Sequence, residues 1–296
     1  MYNSYKFFIL HCFRVLSFLS RNRGMGKLIR YKITNFHYFW RIKNHTLMGK
    51  SGIKLFTVPN LITLLNLLCG SISVILVLQN YVLFAAILIF AAGVLDFLDG
   101  FAARLLKSYS DLGKSLDSLA DMVSFGLAPS VIMYQLLFES LKINQPDLTL
   151  QNAGPLEIVI LFSAFFITLF SGLRLAKFNI DERQSDSFIG VPTPANAFFI
   201  ASIPFIILNF PAAENWILKI YVLLPLTFIL SFLLVSEIPL ISLKFKSFKF
   251  SDNKPRYFLV IISVLFIVIL KLSAFPLIFI GYLTISVINN MVKTLH

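Results

Sequence analysis

Four aspartates frame the chemical question. Asp96 and Asp99 stand three residues apart, and Asp117 and Asp121 four apart, in DFLDGFAARLLKSYSDLGKSLDSLAD, residues 96–121. A carboxylate at membrane depth costs roughly 2.5–3.5 kcal/mol on insertion scales, so apolar helices that carry four must use them. Helical spacing puts each pair on one face. Gly100, Ala103 and Arg104 share the arc of the first pair. The small residues leave backbone open to a ligand, and the guanidinium is a planar donor suited to phosphate. Clustered carboxylates in a low dielectric cannot all stay ionised without cations. Oxygen ligands with no nearby His or Cys select hard ions such as Mg2+ or Mn2+, and four carboxylates suffice for two of them. Such a pair clamps a phosphoryl group during in-line displacement. The chemistry expected is phosphoryl transfer on a membrane substrate. A cation transporter is the competing class; it would want carboxylates at the midplane and interrupted helices in paired halves. The fifth aspartate of the run, Asp111, is expected in a solvated loop with no chemical role.

The elements that must hold these groups are membrane helices. Of 296 residues 57% are hydrophobic and 14% charged, with mean hydropathy +0.82. That excludes an ordinary soluble domain, which carries about 25% charge. The net charge of +12 sits mainly at helix ends and in connections, as the positive-inside rule requires, so no nucleic-acid partner is inferred. Cys12 and Cys69 imply no disulfide framework, and the four histidines suggest no zinc site. The fold class expected is an all-α polytopic bundle of about eight transmembrane helices, near 59–79, 81–106, 114–138, 155–176, 194–211, 216–236, 256–271 and 274–291. Residues 1–56 read as a basic cytoplasmic segment without a cleaved signal peptide, and Met25 and Met48 are alternative starts. Residues 57–240 form the core, 241–255 a basic cytoplasmic loop, and 256–296 a C-terminal helix pair. The alternation of basic and charge-poor connections puts both termini in the cytoplasm. In that topology Asp96 lies about 22 Å into its helix and Asp117 and Asp121 about 5 and 10 Å into theirs, a common level under one surface.

At these residues the chain resembles the CDP-alcohol phosphatidyltransferase family, whose signature D-x2-D-G-x2-A-R-x8-G-x3-D-x3-D is met by Asp96, Asp99, Gly100, Ala103, Arg104, Gly113, Asp117 and Asp121. The resemblance implies a six-helix core extended by two helices, CDP-diacylglycerol as phosphatidyl donor, CMP as leaving group, and an active site facing the cytoplasm from the inner (cytoplasmic) membrane. It also implies a divalent cofactor, two Mg2+ or Mn2+ ions, held by Asp96, Asp99, Asp117 and Asp121, with Asp121 as general base. Gly100, Ala103, Arg104, Ser110 and Gly113 match donor-contacting positions. PNLIT at 59–63 is similar to the family's cytidine-side element through Asn60 and Thr63, and its other reading is an ordinary Pro-led helix start. A homodimer is compatible with the likeness.

PNLITLLNLLCG, DSLADMVSFGLAPS and LRLAKFNI with FIGVPTPANA look like the integral-membrane phosphatidylserine synthase branch, from about residue 56 to 250. That implies L-serine as acceptor. A serine carboxylate needs a cation, and Arg174, then Lys177, with Asn179 beside them, is the expected site; positive-inside anchoring is the alternative. Glycerol 3-phosphate or an inositol phosphate remains open as acceptor, although a phosphorylated alcohol would want several cations. A non-catalytic descendant would tolerate loss of the acids, and none is lost.

Overall fold

The computed structural model describes residues 55–180, 188–240 and 250–294. All but the last two residues of the basic segment 1–56 therefore lie outside the description, as does most of the 241–255 loop. Eleven α-helices follow one another among the described residues: α1 (Val58–Leu78), α2 (Val82–Leu105), α3 (Asp111–Asp121), α4 (Ala128–Lys142), α5 (Pro155–Phe162), α6 (Phe166–Ile180), α7 (Thr193–Asn209), α8 (Pro211–Ile217), α9 (Ile220–Val235), α10 (Phe250–Leu270) and α11 (Phe275–Thr294). Two two-residue strands, β1 (Phe188–Ile189) and β2 (Pro239–Leu240), pair antiparallel and tie the α6–α7 connection to the chain beyond α9.

Among the described residues, five helical stretches are long and apolar enough to cross a membrane: Val58–Leu78, Val82–Leu105, Asp111–Lys142, Pro155–Ile180 and Arg256–Met291. A sixth is gained if α8 and α9, bent by 76°, form one broken span. The chain is thus a multi-pass membrane protein, but the eight expected spans do not all return as independent long helices. Helix α7 has 17 residues. The two last expected spans fall in one 36-residue stretch, about 54 Å at helical rise against a core of about 30 Å. A 3-10 turn at Lys271–Ala274, with Lys271 at φ 53°, divides it, and α10 packs on α11. Helix α10 also begins at Phe250, six residues before the expected start.

Packing at the heart of the molecule depends on small residues. Helices α1 and α2 lie closely together: Ser73 donates to the Ala85 carbonyl at 2.9 Å, and Ala85, Ala86, Ile89 and Ala92 are buried. The α1–α2 connection turns at Asn80 (φ 64°). Helix α2 stops in a Schellman arrangement: Ser108 N–H reaches the Ala103 carbonyl and Lys107 N–H the Arg104 carbonyl, with Lys107 left-handed at φ 48°. Helix α3 then starts at Asp111 rather than Lys114, because the Ser110 hydroxyl accepts from Gly113 N–H at 3.0 Å and Asp111 suits the positive helix start. Asp111 is therefore helical, though exposed as expected. Between α3 and α4 the helix widens into a π-helical turn over Met122–Leu127, a feature that frequently marks functional sites.

Candidate active site

The four aspartates converge as the spacing predicts. One oxygen each from Asp96, Asp99 and Asp117 lie within 4.8 Å of one another. Asp121 follows one turn beyond Asp117, buried at 9% exposure, and its carboxylate interacts electrostatically with the other three. Helices α2 and α3 supply the acids, and α1 supplies their hydrogen bonds. Thr63 donates to Asp99 Oδ2 at 2.6 Å, and its hydroxyl also lies 3.1 Å from the Pro59 carbonyl. The Asn66 amide donates to Asp121 Oδ1 at 3.5 Å.

The donor set suits a hard cation. Two oxygens on one Mg2+ octahedron stand about 3 Å apart when adjacent and about 4 Å when opposite, a range the cluster accommodates. Asp117 Oδ1 is buried without a hydrogen-bond partner among the described residues, as a ligand oxygen would be without its ion. Carboxylates without imidazole or thiolate suit hard divalent cations such as Mg2+, Mn2+ or Ca2+.

Around this cluster the remaining expected residues fall into two groups. Asn60 is buried on α1, and a Cβ placed on Gly113 would lie 3.3 Å from Asn60 Oδ1, so those two positions are neighbours across α1 and α3. Gly100 faces open space, where an added Cβ meets nothing within 4 Å. Ala103 is half-buried, Ser110 is the exposed cap of α3, and exposed Arg104 folds back to donate from Nε to the Gly100 carbonyl at 3.1 Å. Of the three residues expected at the acceptor site, Arg174 alone is buried, at 8% exposure; its guanidinium interacts with the Asp121 charge and lies 5.6 Å from the centre of the Phe178 ring. Lys177 pairs with Glu237 at 3.0 Å, and Asn179 donates to the Ser118 hydroxyl and accepts from Lys114 through its carbonyl.

Sequence reasoning missed Asn66, although it continues the three-residue spacing Asn60, Thr63, Asn66 along one buried stripe of α1. It also missed Ser171, Thr193 and Asn196, fully buried polar side chains in apolar helices.

The fold and site together define a multi-pass helical membrane protein whose inter-helical carboxylate cluster could hold a metal ion. The family model for CDP-alcohol phosphatidyltransferases matches residues 56–230, and the chain belongs to that family. Among curated proteins, it is 35% identical over 137 residues to a CDP-diacylglycerol–serine O-phosphatidyltransferase of Bacillus subtilis, covering 46% of this chain and 69% of that one. The protein of the same name from Helicobacter pylori J99 is 37% identical over 49% of this chain and 56% of its own length. That of Mycobacterium leprae is 29% identical over 81% of this chain and 73% of its own.

Proposed function

We propose that the protein transfers the phosphatidyl group of CDP-diacylglycerol to the hydroxyl of L-serine and releases CMP. The convergence of Asp96, Asp99 and Asp117 within 4.8 Å, with Asp121 beside them, carries this reading. Two divalent ions, Mg2+ or Mn2+, are held by Asp96, Asp99, Asp117 and Asp121. When bound they supply charge neutralisation to the pyrophosphate and orientation to the reacting phosphorus.

The chain's own residues do the rest. Asn60 and Thr63 hold the cytidine side of the donor, and Gly100, Ala103, Arg104, Ser110 and Gly113 line its pyrophosphate. Open space over Gly100 supports that, since a ligand can approach the backbone there. Asp121 takes the proton of the serine hydroxyl as its oxygen bonds to the phosphorus nearest the diacylglycerol. The bond from that phosphorus to the CMP phosphate oxygen breaks, and CMP leaves with Arg104 against its phosphate. Asn66 holds the Asp121 carboxyl in place through its amide. Arg174 binds the serine carboxylate; its burial and its nearness to Asp121 support that assignment over Lys177 and Asn179, which have partners elsewhere. The relatives named for serine transfer support the acceptor. So does the charge inventory: among the described residues Arg174 is the buried cation, whereas a phosphorylated alcohol would want several.

The acids then lie beneath the cytoplasmic leaflet of the inner membrane, with both termini in the cytoplasm and a homodimer as the assembly. The test is CMP release from CDP-diacylglycerol by purified protein, with serine, glycerol 3-phosphate or an inositol phosphate offered in turn, with and without divalent metal. Metal-dependent release with serine alone is expected. Release driven by a phosphorylated alcohol instead would replace serine as the acceptor.

A further inference from the structure

The strongest unexplained feature is a set of buried polar groups with nothing to bond. Among the described residues, Asn66 Oδ1, Ser171 Oγ, Arg174 Nε, Thr193 Oγ1 and both amide atoms of Asn196 are buried without a hydrogen-bond partner. Buried polar atoms are nearly always satisfied, and each exception in a folded chain calls for an explanation. Two further exceptions lie apart from these, Ser108 Oγ in the α2–α3 turn and Asp117 Oδ1 in the acidic cluster; the five residues named lie on elements that pack around the turn after Asp121.

Asn66 faces Asp121 from α1. Ser171 and Arg174 are three residues apart on α6, one face of that helix. A Cβ on Gly126 would meet Ser171 Cβ at 3.1 Å, which seats Ser171 against the π-helical turn that follows Asp121. Thr193 and Asn196 open α7, also three apart and both fully buried. Helix α7 packs on the same π-helical turn, on α6 and on α2. Its register on α2 is antiparallel: Phe205 meets Phe90, and Phe198 stacks on Phe90 and covers Gly93. From Phe198 back to Asn196 is about 3 Å along the axis, and from Gly93 on to Asp96 about 4.5 Å, both toward the carboxylate end. Asn196 therefore stands at the depth of the acids.

We infer that Thr193, Asn196 and Ser171, together with Arg174 and the Asn66 carbonyl, form the acceptor pocket and read both charges of a small zwitterion. The inventory matches that ligand. Arg174 Nε–H, the Asn196 amide N–H groups and the two hydroxyls donate to a carboxylate. Asn66 Oδ1 and Asn196 Oδ1 accept from an ammonium. A phosphorylated alcohol brings no ammonium for the two carbonyl oxygens, and its dianion would face Arg174 as the one buried cation among the described residues. This inference deepens the serine reading above and rests on it; it adds the residues that discriminate serine from other alcohols.

Two near-isosteric variants test it, Thr193→Val and Asn196→Leu, assayed by CMP release and by thermal unfolding in detergent. Apolar replacement of a polar group whose bonds go to substrate leaves folding neutral or improved. The expected result is an unchanged or raised midpoint, KM for serine up by about 10-fold or more, and KM for CDP-diacylglycerol within about twofold. A lowered midpoint with an unchanged serine KM would mean that the groups bond within the protein, and would overturn the pocket. The unaltered chain gives an independent answer through ethanolamine, which lacks the carboxylate, and 3-hydroxypropanoate, which lacks the ammonium. Each should fall below serine by about 100-fold in kcat/KM, and use of either on a par with serine overturns the inference. A wild-type chain that ignores serine and turns over glycerol 3-phosphate overturns the function proposed above and the pocket with it. Serine turnover with indifferent variants overturns the pocket alone.

Discussion

Asp121 combines burial, a hydrogen bond from Asn66 and the fields of three further carboxylates. If it is the general base proposed above, it should be nearly irreplaceable. Asp121→Asn keeps the shape and removes the proton acceptor, so turnover should drop by about 10^2–10^4, while in EDTA, with the metal contribution removed, the extracted protein unfolds at or above the wild-type temperature. Turnover within a few-fold of wild type would remove Asp121 from the proton transfer. Gly100 allows a second experiment at this scale. A methyl group there meets nothing in the fold, and Ala is favoured over Gly in a helix by about 1 kcal/mol. Gly100→Ala should leave stability level or improved and raise KM for CDP-diacylglycerol several-fold, because the added carbon occupies the ground the donor needs. An unchanged KM would take the donor away from this glycine. The aspartates were legible because charge in an apolar helix is conspicuous. Asn66, Thr193 and Asn196 were not: uncharged polar residues are common in membrane helices, and only burial with side-chain atoms left unpartnered distinguishes these.

At the scale of elements, the site depends on how closely α1 approaches the π-helical turn after α3. A Cβ on Gly70 would lie 2.4 Å from Ser124 Oγ, 2.7 Å from its Cα and 2.9 Å from its N. Backbone cannot swing aside as a side-chain tip can. In the wild type, Ser124 donates to the main-chain carbonyl of Asn66 at 3.0 Å, locking turn and helix together. Gly70→Ala should therefore cost about 1–3 kcal/mol by overpacking and also lower turnover, since parting α1 from the turn separates Asn66 from Asp121. Gly281→Ala, where nothing lies within 4 Å, is the matched control and should do neither. Thermal unfolding and CMP release, measured on both variants, check the pair; an innocuous Gly70→Ala would mean that the approach is looser than these distances. The helices themselves were readable from apolar length, and α1, α2 and α5–α6 fall close to their expected bounds. The π-helical turn was not readable, because MVSFGL fits an α-helical pattern equally well and the widening answers to packing by Gly126, Ser171 and Met122.

The whole molecule shows what hydropathy can and cannot decide. Apolar length located the membrane-crossing stretches but not how α8 and α9 bend by 76° or how the C-terminal stretch divides at Lys271, which depend on local backbone turns that hydropathy does not encode. Nor did it bring α7 into the site; that follows from Phe198 filling the space over Gly93 within a cluster of Phe90, Phe125 and Phe275. The same assembly makes metal binding a matter of global stability. Asp96 and Asp99 lie on α2, Asp117 and Asp121 on α3, and α1 bonds both helices, so a cation bridging the acids binds the folded bundle and not the separated helices. Linkage then stabilises the fold by about 2.7 kcal/mol at a metal concentration 100 times Kd. Mg2+ or Mn2+ should raise the unfolding temperature in detergent by several degrees and Ca2+ by less, since the larger ion takes more oxygen ligands at longer distance. EDTA should reverse the rise and stop CMP release together. Asp96→Asn and Asp117→Asn should unfold at the temperature of the chelated wild type and respond weakly to metal. A metal-induced rise that survives in both variants would place the stabilising cation elsewhere and separate it from the phosphoryl-transfer site.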